Sequence, residues 1–112
     1  MIRPPALGEF EQVVLLAILR LGETAYGVTV RAEIVACTGR APTPGALYTT
    51  LDRMEDKGLI QSHLGDSTPQ RGGRAKRYVK VTKKGRYALI EAQRQYQSLL
   101  RGLDLLEGGT DA

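Results

Sequence analysis

Residues 43–58, TPGALYTTLDRMEDKG, leave little choice of local structure. Thr43 is a helix-capping residue, and Pro44 fits the first helical position, where its missing N–H costs nothing. Lys57 and Gly58 supply the stop signal, a cation in the last turn and a glycine just beyond it. Between them Leu47, Leu51 and Met54 recur at helical spacing and form one apolar stripe. The opposite face carries Gly45, Tyr48, Thr49, Asp52 and Arg53. An ordinary solvated helix shows paired Glu and Lys there. Small, hydroxylic and cationic groups suit close approach to DNA, so the segment reads as a helix that enters a major groove.

Upstream, residues 8–21 read as a helix with Phe10, Val14, Ala17, Ile18 and Leu21 on one face. Val13 and Leu15 widen that face, so the helix is expected to be buried on most sides. Gly22 ends it. A second helix over about 26–38 has Val30 and Ile34 as its stripe, flanked by Val28, Val35 and Cys37, and Gly39 closes it. Connections this short join three helices into a right-angled cluster, the second and third at helix-turn-helix spacing. Residues 1–7, with Arg3, Pro4 and Pro5, read as an extended arm.

After Gly58 the period changes. Residues 59–64 and 76–81 alternate as short strands, with Val79 and Val81 turned inward and Lys76, Tyr78 and Lys80 outward. Between them GDSTPQRGGRA has the composition of a loop. Strand, basic loop and strand make a β-hairpin wing. The fold class is therefore mainly α with a small β-hairpin: a winged helix-turn-helix plus a long C-terminal helix.

Charge is distributed to match. The net charge is only +4, but eight of the sixteen Lys and Arg residues fall within 71–86, a window without an acid. A charge run is usually a solvated face. At a wing tip beside a candidate recognition helix it points to phosphate or minor-groove contact.

Thr82 caps the last helix, expected to run to about Glu107, roughly 37 Å at 1.5 Å per residue. Leu89, Ala92, Tyr96, Leu99, Leu103 and Leu106 are spaced 3, 4, 3, 4, 3, the a/d seam of a coiled coil. The first turns, through Tyr87 and Ile90, suit packing on the domain itself. Beyond Gln95 the leucines call for a partner chain, most simply in a two-fold homodimer. The expected division is 1–82 for the arm and winged helix-turn-helix, 83–107 for the dimerisation helix and 108–112 for a frayed tail.

Catalysis finds no support. Cys37 is the only cysteine and His63 the only histidine. Cys37 reads as a buried or half-buried side chain and His63 as structural or surface, so no metal is expected. No Ser/His/Asp or Cys/His set, catalytic carboxylate pair or phosphate-cradling loop is present, and Gly72-Gly73 lacks the P-loop context. No cofactor is expected. Neither a signal peptide nor an apolar run of membrane-spanning length is seen, which makes a cytoplasmic location the expectation.

TPGALYTTLDRMEDKGLI followed by RGGRAKRYVKVTKKGRYAL resembles the PadR family of bacterial transcriptional regulators. LAILRLGETAYGVTV adds a weaker likeness, so the resemblance spans residues 13–89. The single C-terminal helix is similar to the smaller subfamily, which ends without a further effector domain. The resemblance implies a dimeric repressor recognising an inverted repeat, with helix three in the major groove and the wing against the adjacent minor groove or backbone. It also implies, for some members, a small aromatic or apolar effector between protomers. The order Ala25-Tyr26-Gly27 departs from the Gly-Tyr pair of the family, so the role of that aromatic is not carried over to Tyr26.

The expected DNA contacts begin at the helix N-terminus with Thr43, Gly45 and Ala46, where small side chains and free N–H groups suit phosphate. Tyr48 is expected to contact DNA through its hydroxyl, against the alternative of a ring laid over the junction with helix two. Thr49 lies one turn in. Arg53 reads equally as bidentate to guanine or as a surface partner of Asp52 or Asp56. The wing adds Arg71, Gly73, Arg74, Lys76 and Arg77, while Lys83, Lys84 and Arg86 suit the exposed side of the last helix. A different class of function fits the same pattern: a winged-helix interaction module that dimerises through its last helix without specific DNA binding. Salt-dependent binding to duplex DNA separates the two.

Overall fold

The computed structural model describes residues 6–65 and 75–108. The start of the expected arm (1–5), most of the wing loop (66–74) and the end of the tail (109–112) lie outside the described residues. In chain order the elements are α1 (Glu9–Leu21), α2 (Gly27–Thr38), α3 (Pro44–Asp56), β1 (Ile60–Leu64), β2 (Arg77–Val81), α4 (Lys83–Leu100) and α5 (Leu105–Gly108). A single 3-10 turn at Gly22–Thr24 links α1 to α2.

Local signals set these boundaries. Thr43 accepts a hydrogen bond from the Ala46 N–H at 3.1 Å, with Pro44 in the first turn of α3. Gly39 closes α2 and Gly58 follows α3, both in the left-handed conformation that glycine adopts without strain. Arg31 donates to the Pro42 carbonyl at 2.6 Å and so fixes the connector that aims α3.

Every main element contributes to one core. Val14, Leu15 and Ile18 of α1 meet Val30 and Ile34 of α2, Leu47, Leu51 and Met54 of α3, and Ile60 and Val79 of the hairpin. The buried stripe of α2 is narrower than expected. Val28, in the first turn of α2, is exposed, and so are Val35 and Cys37, where the last turn runs past the edge of the core. Cys37, expected to be buried or half-buried, is thus corrected to surface, where its thiol donates to Glu33 Oε2 at 3.4 Å.

The wing is laced on both edges of β2. Antiparallel pairing sets Ile60 opposite Val81, Ser62 opposite Val79 and Leu64 opposite Arg77. On the other side the Val79 N–H donates to the Ala25 carbonyl at 3.0 Å, and Tyr26 bridges Tyr78. A free two-stranded hairpin is marginal in water, so this attachment to the turn before α2 holds the wing in place. It also changes Tyr78, expected to point out. Its ring packs edge-on to Tyr26 at 5.4 Å and stacks on His63 at 5.7 Å.

α4 departs most from expectation. Thr82 accepts from the Gly85 N–H at 3.0 Å and donates to the Gly58 carbonyl at 2.6 Å, tying the helix start to the end of α3. A Cβ at Gly85 would lie 2.2 Å from the Leu59 carbonyl oxygen, so only glycine lets α4 approach this closely. That contact fixes the helix rotation, and it is Ala88 and Leu89 that enter the core while Tyr87 and Ile90 face solvent. Leu89, expected on the dimer seam, is 6% exposed and belongs to the core of its own chain. The helix also stops at Leu100, short of the expected Glu107. Gly102 takes φ +82°, and the Asp104 carboxylate accepts from the Leu106 N–H at 3.2 Å, so a break and a fresh cap start α5.

Candidate nucleic-acid interface

The expected outer face of α3 is on the surface. Thr43, Gly45, Ala46, Tyr48, Thr49, Asp52 and Arg53 are all exposed, while Leu47, Thr50, Leu51 and Met54 are buried. The first turn carries fewer free donors than its sequence suggests. Pro44 has no N–H and Thr43 takes that of Ala46, so Gly45 supplies the uncapped donor at this end among the described residues. No side chain crowds Gly45, which leaves the backbone approachable.

Tyr48 combines the two roles set against each other above. A Cβ at Gly27 would lie 2.3 Å from the Tyr48 hydroxyl oxygen and 2.6 Å from the ring carbon bearing it, so the ring is seated on the first residue of α2. The residue is nonetheless 42% exposed, and no group among the described residues bonds its hydroxyl. Packing fixes the ring and leaves the hydroxyl available at the surface.

The cations divide into committed and open groups. Arg53 pairs with neither Asp52 nor Asp56 but with Glu11 of α1, at 3.4 Å, and Lys57 reaches the same carboxylate oxygen at 3.0 Å. Glu11 is only 5% exposed in its side chain, and its other oxygen accepts from the Gly8 N–H at 2.9 Å. Burial works to raise its pKa, but the Gly8 N–H, Lys57 and Arg53 together outweigh burial and hold it below the usual value. One buried acid therefore caps α1 and ties down the C-terminal half of α3. Arg77, also among the expected DNA contacts, pairs with Asp52 at 2.9 Å and Glu55 at 2.6 Å on α3. Glu55 is held below its ordinary value chiefly by Arg77 and then by Ser62.

Lys76 is exposed, with its ammonium 4.8 Å from the centre of the Tyr26 ring. It is the expected wing cation that stays open toward solvent among the described residues. Arg71, Gly73 and Arg74 lie outside the described residues. On the far half of α4, Ala92 is half-buried, whereas Tyr96 and Leu99 are exposed, Leu99 at 78%; Leu103, past the end of α4, and Leu106 of α5 are exposed too. His63 lies at the wing as a stacking partner of Tyr78, and no group of three potential metal ligands occurs among the described residues.

Sequence reasoning missed Glu11, although a signal was there. It lies on the stripe of Val14, Leu15 and Ile18, at +3, +4 and +7, and a lone acid on an apolar face requires a partner. The Arg77 pairing carried no such signal, since nothing local links residues 22 and 25 positions apart.

The family model for PadR-like transcriptional regulators matches residues 15–91. Among solved structures, the chain is similar to a PadR family transcriptional regulator from Eggerthella lenta, with 27% identity, 84% of this chain and 81% of that chain covered, and a TM-score of 0.64. A PadR family regulator from Clostridium difficile is 26% identical over 82% of this chain and 91% of that chain, with a TM-score of 0.60. F93 from STIV, a winged-helix DNA-binding protein, is 16% identical over 89% of this chain and all (100%) of that chain, with a TM-score of 0.67, and shares the fold. No curated protein matches the chain.

Proposed function

Because this chain belongs to the PadR-like family of transcriptional regulators, we propose that it is a repressor that binds an inverted-repeat operator as a homodimer. The family and the winged-helix fold make it a transcriptional regulator and not an enzyme. The observation that carries the finer reading is the exposed N-terminal half of α3. Small and hydroxylic side chains stand free there, beside a wing that supplies the cations α3 lacks. Gly45, Thr49 and the Tyr48 hydroxyl meet DNA first, with Thr43 and Ala46 beside them. Acids at Asp52 and Asp56 keep the far end of α3 away from phosphates, so the helix enters by its N-terminus. Arg71, Gly73, Arg74 and Lys76 contact the backbone or minor groove from the wing.

The dimerisation segment is Ala92 to Leu106 in this reading. Support comes from Tyr96 and Leu99, which stand exposed on the continuation of the stripe whose start, Ala88 and Leu89, is already core, and from Leu103 and Leu106, exposed beyond the break. Two protomers so joined present their α3 helices to half-sites about one helical turn apart, roughly 34–36 Å. A cytoplasmic location and a small apolar or aromatic effector between protomers belong to the same reading. A thermal-shift screen with apolar ligands tests the effector.

Selection of bound duplexes from a random pool, followed by anisotropy titration at low and high salt, tests the proposal. A palindrome bound with a steep salt dependence is expected. Absence of salt-dependent duplex binding overturns the proposal in favour of a protein-interaction module.

A further inference from the structure

Arg77 is the first residue of β2, where the wing loop rejoins the sheet, and its guanidinium spans to α3. Nη1 donates to Asp52 Oδ1 at 2.9 Å and Nη2 to Glu55 Oε1 at 2.6 Å. Asp52 and Glu55 lie three residues apart, neighbours on one helix face, so the planar fork meets two carboxylates at once. Glu55 is held from the other strand too, because Ser62 Oγ of β1 lies 2.9 and 3.0 Å from its two oxygens. Both strands of the wing thus converge on a single carboxylate of the recognition helix.

The charges argue the same way. The C-terminal half of α3 carries Asp52, Glu55 and Asp56, and Arg77 pairs with the first two, offsetting part of their charge. Turning its guanidinium toward a phosphate would release two carboxylates beside the DNA, where they repel it. Arg77 has 31% of its side chain exposed and Glu55 37%, so the Glu55 half of the pairing is partly shielded, whereas Asp52, 65% exposed, is a largely solvated partner. We propose that Arg77 is a positioning residue that locks the wing to the recognition helix, and so sets sequence selectivity, instead of contacting phosphate. This rests on the DNA-binding reading above.

The test compares Arg77→Gln and Glu55→Gln with wild type on two duplexes of equal length, one selected by the wild-type protein and one scrambled. The readout is the ratio of the two affinities, with thermal melts to establish folding. Arg77→Gln lowers the ratio on the order of fivefold or more. Glu55→Gln lowers the ratio as well, while its affinity for the scrambled duplex holds or rises, because a negative charge is gone. If Arg77 contacts phosphate instead, Arg77→Gln weakens both duplexes equally. Glu55→Gln, by freeing the guanidinium, then strengthens both at an unchanged ratio. Either result overturns the proposal. Should Arg77→Gln fail to fold, Glu55→Gln decides alone, since one reading gives it a lowered ratio and the other an unchanged one. Failure of the wild-type protein to bind either duplex overturns the DNA reading itself and the clamp with it.

Discussion

Gly27→Ala tests how the fold aims the outer face of α3, proposed above to read DNA. The added Cβ would lie 2.3, 2.6 and 2.9 Å from the hydroxyl oxygen, Cζ and Cε1 of Tyr48. Ordinary contact between such atoms is about 3.5–4.0 Å, so the ring must retreat by more than about 1 Å. It can do so, because Tyr48 is already 42% exposed and no hydrogen bond from the described residues holds it. Losing roughly 60 Å² of ring contact costs about 1.5 kcal/mol. Alanine at the first position of α2 returns only part of the roughly 1 kcal/mol it gains inside a helix. The net cost is about 1 kcal/mol, a fall in Tm of about 5 °C for a domain of this size. DNA affinity falls with it, by about fivefold if the displaced hydroxyl makes one hydrogen bond worth about 1 kcal/mol. Tyr48→Phe separates the two effects: the ring stays seated, the melt is unchanged, and the same fivefold loss remains. Circular dichroism melts and anisotropy on the selected duplex measure both. A Gly27→Ala protein that melts as wild type or higher refutes the seating of the ring on α2, and full affinity in Tyr48→Phe removes the hydroxyl from the interface.

Three further expectations follow from the same contacts. Gly85→Ala sets a Cβ 2.2 Å from the Leu59 carbonyl oxygen, a backbone atom with little room to yield. Overpacking outweighs helix propensity there, and the protein loses about 2 kcal/mol, read as a lower denaturation midpoint; an unchanged midpoint is the contrary result. Glu11 has a folded pKa below its ordinary 4.5, so its stabilisation is complete above that value and is lost as pH falls through the lower folded one. Glu11→Gln is therefore less stable near neutral pH by about 1–2 kcal/mol, with a shallower loss of stability in acid; an acid limb identical to wild type would falsify the assignment. Leu99→Glu converts a dimer to a monomer by sedimentation with the domain melt nearly unchanged, whereas Leu89→Ala costs about 2–3 kcal/mol of stability. A monomeric wild type, or equal melts for both variants, contradicts the division of the α4 stripe.

What the sequence determined by itself is the order and local extent of the elements. Thr43, Gly39, Gly58 and Thr82 mark helix ends because capping acts within four residues, and periodicity marks faces by the same short range. The change of period after Gly58 was likewise enough to locate the hairpin. Where local signals competed, the sequence was less decisive. The 3-4 spacing from Leu89 to Leu106 suggested one seam, but Gly102 and Asp104 carried a stop and a new cap inside it. Only the tertiary structure decided what the charged residues do. Glu11 and Lys57 are 46 positions apart, and Arg77 and Glu55 22, so their pairing depends on how whole elements are rotated against each other. Close approach at glycine fixes other placements in the same way: α4 against Leu59 at Gly85, and the Tyr48 ring against α2 at Gly27. A glycine in a sequence shows where such an approach is permitted, and the partner surface must be in place to show that it is used.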